Sequence, residues 1–251
     1  MSDFETLTGK QVRDLGDKIG GAERAKRFMS GELVLAERSA QAAVASGDNG
    51  GISPYVSTPL LNVEVFIADW REFYRQVHSM RVNPSSLKRL PPVTSGFNWG
   101  VWVPKGMMPQ RAYEMGAAMY PSWKWCGDRS LDDVVDFTKE ARNASARQYL
   151  TWCEDSVEPS SKLTNLSAIK IAERQINTLT LTEMELLHQW FYWKSSGKHL
   201  DVKNISLCPA SRYFDGFVPG VRWHGSLSGL DVYGCDPDNS DDDLRSRQAV
   251  S

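Results

Sequence analysis

Lysine, glutamate, glutamine and methionine are all missing from residues 213–243, and the same window holds a single tryptophan, Trp223. These residue types recur throughout the preceding chain, so the gap calls for a cause. Other absences bound the chain as a whole. No run of about eighteen apolar residues occurs, and no membrane span is expected. The N-terminal Met1, Ser2, Asp3 and Phe4 open a segment with neither a basic region nor an apolar run, so no secretory leader is expected; the expected location is cytoplasmic, or a virion or cell surface reached by an unconventional route. Cys126, Cys153, Cys208 and Cys235 lie far apart and form no Cys-x-x-Cys pair, which argues against a zinc or redox centre and favours buried free thiols. Charge is nearly balanced, 29 Lys+Arg against 31 Asp+Glu, without the basic excess that nucleic acid or an anionic membrane would attract. His78, His188, His199 and His224 fall in no His-Glu-x-x-His arrangement, and the chain has no phosphate loop, nucleophile elbow or dinucleotide fingerprint. No catalytic residue, metal or cofactor is therefore expected.

What residues 213–243 do contain has two explanations. Turn-rich segments favour Asp, Gly, Ser and Pro and are poor in Met and Gln. The other explanation lies in the codon table. Replacing the adenines of an AAC or AAT codon reaches Tyr, Phe, His, Arg, Ser, Asp, Gly and Cys, but never Lys, Glu, Gln, Met or Trp. A segment whose asparagine codons had been rewritten in this way would show the observed depletion.

Between the assorted positions stands a frame. It comprises Cys208, Pro209, Ala210, Ser211 and Arg212, then Asp215 and Gly216, Val218 and Pro219, Val221, Trp223, Leu230 and Val232. It continues with Pro237, Asp238, Asn239 and Ser240, and closes with residues 244–251. This frame resembles the C-terminal variable region of the variable proteins of diversity-generating retroelements, particularly a group found in archaeal and small-genome bacterial lineages. The resemblance extends over residues 181–201, including Lys198, His199, Leu200 and Asp201, and over an N-terminal stretch from Lys18 to Leu33. Residues 48–179 carry none of it. The resemblance implies a C-type lectin-like fold whose variable residues form a ligand-binding face without catalysis. The expected partner is an unidentified ligand that varies from copy to copy, a protein or a cell-surface molecule.

Periodicity points the same way. Val221 and Trp223 alternate with Gly220, Arg222 and His224, while Leu230 and Val232 alternate with Asp231 and Tyr233. Successive side chains of a strand point to opposite faces, so one face is expected to be core and the other to carry the assorted residues. The expected ligand-binding positions on these strands are Gly220, Arg222, His224, Asp231, Tyr233, Gly234 and Cys235. In the connecting loops they are Tyr213, Phe214, Phe217, Ser226, Asp236, Asp241 and Asp243. Arg212, Arg245 and Arg247 are expected to pin loops to Asp215, Asp238 or backbone carbonyls, and Leu244, Ala249 and Val250 to form a last core strand.

The element pattern is that of an α+β protein: a smaller mixed N-terminal region over residues 1–93, then a C-type lectin-like domain over residues 94–251 with its variable region at about 212–243. Residues 82–95, with Pro84, Pro91 and Pro92, read as the linker. In the N-terminal region, Thr8 and Gly20 bound a helix carrying Val12, Leu15 and Ile19. A second helix is expected over 22–29, a loop over 47–54, and a strand over 62–68 leading into a helix near 70–80. The second region opens with a strand over 98–103. Ser130 is expected to cap a helix reaching about Trp152, and Thr182 with Glu185 to form a capping box on a helix bearing Met184, Leu187, Trp190, Phe191 and Trp193.

Two other functions remain open at this level. Residues 236–243 are rich in Asp and Asn oxygens, which suit calcium and would make the chain a calcium-dependent carbohydrate-binding lectin. The sugar-binding triplets of such lectins and the EF-hand pattern are both absent, however. Formylglycine-generating enzymes, relatives in fold, use a close pair of cysteines, for which Cys208 and Cys235 are the only candidates near the variable region.

Overall fold

A computed structural model describes residues 63–87, 90, 91 and 94–251. The expected helices near Val12 and over 22–29, and the loop over 47–54, lie outside the described residues. All described residues belong to one compact unit, Ser53–Ser251. Its class is mixed α+β.

The first helix, α1 (Val63–His78), buries Phe66, Trp70, Phe73 and Tyr74. This i, i+4, i+7, i+8 spacing makes one apolar stripe. Of the strand expected over 62–68, the described residues 63–68 are instead the start of this helix. Val63, Val65 and Ile67 favour a strand locally, but burying Phe66 on the same stripe as Trp70 requires helical geometry. Trp70 stacks on Trp190 at a centroid distance of 5.8 Å, and the Tyr74 hydroxyl donates to the carbonyl of Trp102 at 2.6 Å. Residues on both sides of position 93 thus share one hydrophobic core, so the boundary expected there does not separate two cores.

Strand β1 (Trp99–Val103) is buried along its whole length. It pairs antiparallel with β3 (Tyr149–Cys153), which pairs with the last strand, β8 (Ala249–Val250), to give a three-stranded sheet. A Cβ at Gly100 would lie 2.5 Å from Phe66 Cζ and from Trp152 Cζ3, so only glycine lets helix and sheet approach this closely. Between β1 and β3 come α2 (Pro109–Ala117), β2 (Ser122–Lys124) and α3 (Leu131–Val134). Ser130 does cap α3, accepting from the Asp132 amide, but the helix has only 4 residues and does not reach Trp152. Val135 takes extended backbone and bridges Tyr213, while the Asp136 amide donates to the Arg212 carbonyl; tertiary pairing ends the helix.

After β3 a short helix, α4 (Ala168–Glu173), precedes the central helix α5 (Leu181–Lys194). The capping box is Thr180 with Glu183, two residues before the expected pair. Its position follows from the C-terminal segment: Thr178 bridges Gln248 and the Leu179 amide donates to the Arg247 carbonyl, so the extended chain ends at Leu179 and the helix begins at once. Residues 181–191 of α5 are all buried, because α1, α2, β1 and β5 pack around the helix.

The second sheet contains β4 (Ile205–Leu207), β5 (Val218–His224), β6 (Gly229–Cys235) and β7 (Leu244–Ser246), in the order β2-β6-β5-β4-β7. The pairs β2–β6 and β4–β7 are parallel and the others antiparallel. Leu244 therefore lies in a different sheet from Ala249 and Val250, not in one closing strand with them. Arg247 pins the end of the chain as a buried residue. It pairs with Asp201 and donates to the carbonyls of Ser156 at 2.6 Å and Val157 at 2.9 Å, rather than to Asp215 or Asp238. Asp215 and Asp238 are instead engaged locally: Asp215 Oδ1 accepts from the Phe217 amide, and the Asp238 amide donates to Asp236 Oδ1.

Candidate functional site

The register of β5 and β6 sorts the candidate residues. Val221 faces Val232 and Trp223 faces Leu230; Gly220 faces Tyr233, Arg222 faces Asp231 and His224 faces Gly229. The first group joins the main core, with Trp223 half-buried against it. The second group occupies the outer face.

That outer face has two halves. At one end Val218, Leu207, Leu244 and Cys235 form a small cluster with Ala168 of α4, and Tyr233 packs against its edge. The Ile169 amide donates to the Pro237 carbonyl and holds α4 in place. At the other end Arg222, His224 and Asp231 are partly exposed. Beside them stands Trp123 of β2, paired with Asp231 and 44% exposed. A Cβ at Gly229 would lie 1.9 Å from the Trp123 ring, so the indole lies against bare backbone there. The Ser226 hydroxyl and His224 Nδ1 are 3.0 Å apart, which fixes the ring at the hairpin tip.

A second cluster adjoins the end of β6. Phe214 and Phe217 are 65% and 40% exposed on the loop between β4 and β5. Asp215 Oδ1 accepts from the Phe217 amide at 3.0 Å and shapes this turn. Trp125, whose amide donates to the Val232 carbonyl, continues the edge beyond β2. Trp125, Asp215, Phe217, Tyr233 and Gly234 line a cavity of about 240 Å³. Asp236, Asp241 and Asp243 are exposed in the following loop.

Three expected positions are not available to a ligand. Tyr213 is fully buried: its strand bridge to Val135 draws it inward, and its ring lies 5.2 Å from that of Trp125. Cys235 is buried beneath α4, and burial pushes its thiol up to about 11. Gly220 is also buried, and a Cβ there would lie 2.9 Å from Cys235 Sγ and 3.1 Å from Tyr233 Cζ. Exchange at Gly220 would thus force its neighbours to move. At Gly234 a Cβ would meet Phe217 Cβ at 3.5 Å and the Tyr213 ring at 3.7 Å, both ordinary contacts.

Trp123 and Trp125 were missed because they lie outside the depleted window. Their signal was present in the sequence: Trp123 and Trp125 alternate with Ser122, Lys124 and Cys126, and both indoles are exposed while the intervening residues are half-buried.

His188, His199, Glu185, Cys208 and Cys235 lie within the packed interior or at its edge. His199 stacks on Trp223 at a centroid distance of 3.2 Å, and its Nδ1 is 3.0 Å from His188 Nε2. Burial lowers His199 to about 4 and His188 well below the usual histidine range. Glu185 is buried on α5, and burial raises its carboxyl well above the glutamate range. Cys208 belongs to the main core and Cys235 to the small outer cluster, and both are free thiols. Among the described residues no three His, Cys, Asp or Glu side chains are grouped to hold a metal. In the acidic loop, Asp236 Oδ1 accepts from the Asp238 amide and Asp242 Oδ1 from Asn165 Nδ2, so these carboxylates bind in separate places. A larger cavity of about 1150 Å³ is lined by Lys105, Glu140, Arg142 and Tyr149 among others, but by none of the candidate residues. Its Arg142 is already bound bidentately to Glu183.

No helix among the described residues is long and apolar enough to cross a membrane. The chain matches no protein-family model, curated protein or solved structure.

Proposed function

We propose that this chain is a non-enzymatic recognition protein, the diversified target of a diversity-generating retroelement, which binds protein ligands through an outward face on a C-type lectin-like scaffold. One observation carries the reading: the β5–β6 register sets Arg222, His224, Asp231 and Tyr233 apart from Val221, Leu230 and Val232, which are core. On this reading, ligand contact falls to the exposed part of one side of these strands and the main core to the other. Phe214, Phe217, Ser226, Asp236, Asp241 and Asp243 extend the face through exposed loops. The order of elements, with helices α1, α2 and α5 preceding strands β4 to β8, supports the lectin-like part of the proposal.

The chemistry of the face suits protein recognition. Aromatic and Arg side chains bring large contact area at low rotamer cost, and Ser, Gly and Asp adapt its shape and hydrogen bonding. A few aromatic anchors should then carry most of the binding energy.

Two experiments test the proposal. The coding DNA should lie near an imperfect repeat of its own 3′ segment that differs at adenines, beside a reverse-transcriptase gene; a genomic neighbourhood with neither overturns the retroelement assignment. In addition, a library randomised at Phe214, Phe217, Arg222, His224, Ser226 and Asp231 should yield mostly folded protein with melting temperatures near the parent's. A library that mostly fails to fold overturns the display face itself.

A further inference from the structure

We infer that the cavity at the end of β6 is the anchor pocket of this face and takes an arginine side chain from a protein ligand. The inference rests on the recognition reading and names the ligand chemistry that this copy of the face selects.

Three of the five lining residues are aromatic: Trp125, Phe217 and Tyr233. The other two are Asp215, which supplies the only charge, and Gly234. Aromatic faces attract cations through their quadrupole, and a planar guanidinium stacks on them while donating in its own plane to a carboxylate. The two chemistries occur together here. Asp215 Oδ1 is engaged by the Phe217 amide, and no cation among the described residues pairs with this carboxylate. A volume of about 240 Å³ holds one side chain, not a whole drug-sized ligand.

The surroundings favour the same sign of charge. Residues 213–243 carry seven aspartates against a single arginine and no lysine. That arginine, Arg222, stands opposite Asp231 in the register. Asp236, Asp241 and Asp243 are exposed on the loop that follows β6. A basic ligand is thus steered toward the face and an acidic one repelled.

Gly234 lines the pocket with bare backbone. A methyl group there makes only ordinary contacts with Phe217 and Tyr213, so Gly234→Ala should fill the space without disturbing the fold. Asp215→Asn keeps an oxygen for the Phe217 amide and removes only the charge.

The test uses the full chain and two probes of equal shape, N-acetyl-arginine methylamide and its neutral isostere N-acetyl-citrulline methylamide. Binding is read from the indole N–H resonance of Trp125, assigned with Trp125→Phe. The arginine probe should bind about fivefold more tightly than the citrulline probe. Asp215→Asn should bring the two affinities together, and Gly234→Ala should weaken both with an unchanged melting temperature. Equal or tighter citrulline binding, or no response of Trp125 to either probe, overturns the pocket assignment. Tighter binding of N-acetyl-lysine methylamide overturns the choice of guanidinium. None of these results bears on whether the face can be diversified, which the randomised library decides separately.

Discussion

Gly220 and Gly234 lie on adjacent strands and were equal candidates in the sequence, yet they should respond oppositely to the same change. A methyl group at Gly220 meets Cys235 Sγ at 2.9 Å, while one at Gly234 has no contact closer than 3.5 Å. Gly220→Ala should therefore cost about 1–3 kcal/mol through overpacking, and Gly234→Ala should stay within about 0.5 kcal/mol. Chemical denaturation of the two variants checks both values. The neighbouring pair Arg222 and Trp223 gives a similar contrast. Trp223 is half-buried and stacked on His199, so Trp223→Ala should lose about 2–3 kcal/mol, less than a fully buried tryptophan would. Arg222→Ala should leave stability nearly unchanged and act on binding instead.

At the scale of elements, helix α5 depends on its first turn, because a helix buried along residues 181–191 cannot turn to water for its unpaired amides. Thr180→Ala removes the side-chain acceptor for the Glu183 amide and should cost about 1 kcal/mol, measured as a shift in denaturation midpoint. Near the same turn, the Ser211 hydroxyl donates to Glu140, whose carboxyl is raised to about 7, chiefly by burial. A folded-state pKa above the unfolded value means that protons bind the folded form more tightly. The stabilising contribution is full below the ordinary glutamate range and is lost as pH rises through about 7. The burial-lowered His199 works in the opposite direction, losing stability as pH falls from the usual histidine range toward about 4. The two effects overlap, so the informative quantity is a difference: Glu140→Gln should gain stability relative to the parent as pH rises from 5 to about 8. Parallel pH–stability curves for the two proteins would refute this.

For the whole molecule, closure of the chain rests on a buried ion pair. Arg247 joins Asp201 to the carbonyls of Ser156 and Val157, and the flanking residues Gln248 and Ala249 pair with the segment just before α5. Removing one partner leaves an uncompensated buried charge, so Arg247→Ala should cost about 3–5 kcal/mol in global unfolding free energy. The double variant Asp201→Asn, Arg247→Met should recover part of that loss, because it removes both charges together. The residues that close the fold, Asp201 and Arg247, lie on either side of the assorted window.

Some of this was legible in one dimension. The two-residue period of β5 and β6 separated Val221, Leu230 and Val232 from Arg222, Asp231 and Tyr233, because strand geometry alone sends neighbours to opposite faces. Ser130 as a cap was legible for a similar reason: it depends on local chemistry. Tertiary structure decided the rest. It turned the strand-like residues before Ala68 into a helix to bury Phe66 beside Trp70, ended α3 after Val134 by bridging Val135 to Tyr213, and moved the capping box of α5 to Thr180 through the pairing of Thr178 with Gln248. It also withdrew Tyr213, Gly220 and Cys235 from the surface and brought in Trp123 and Trp125 from a distant stretch of chain. A local pattern fixes which way a side chain points, but what covers it depends on segments far away in sequence.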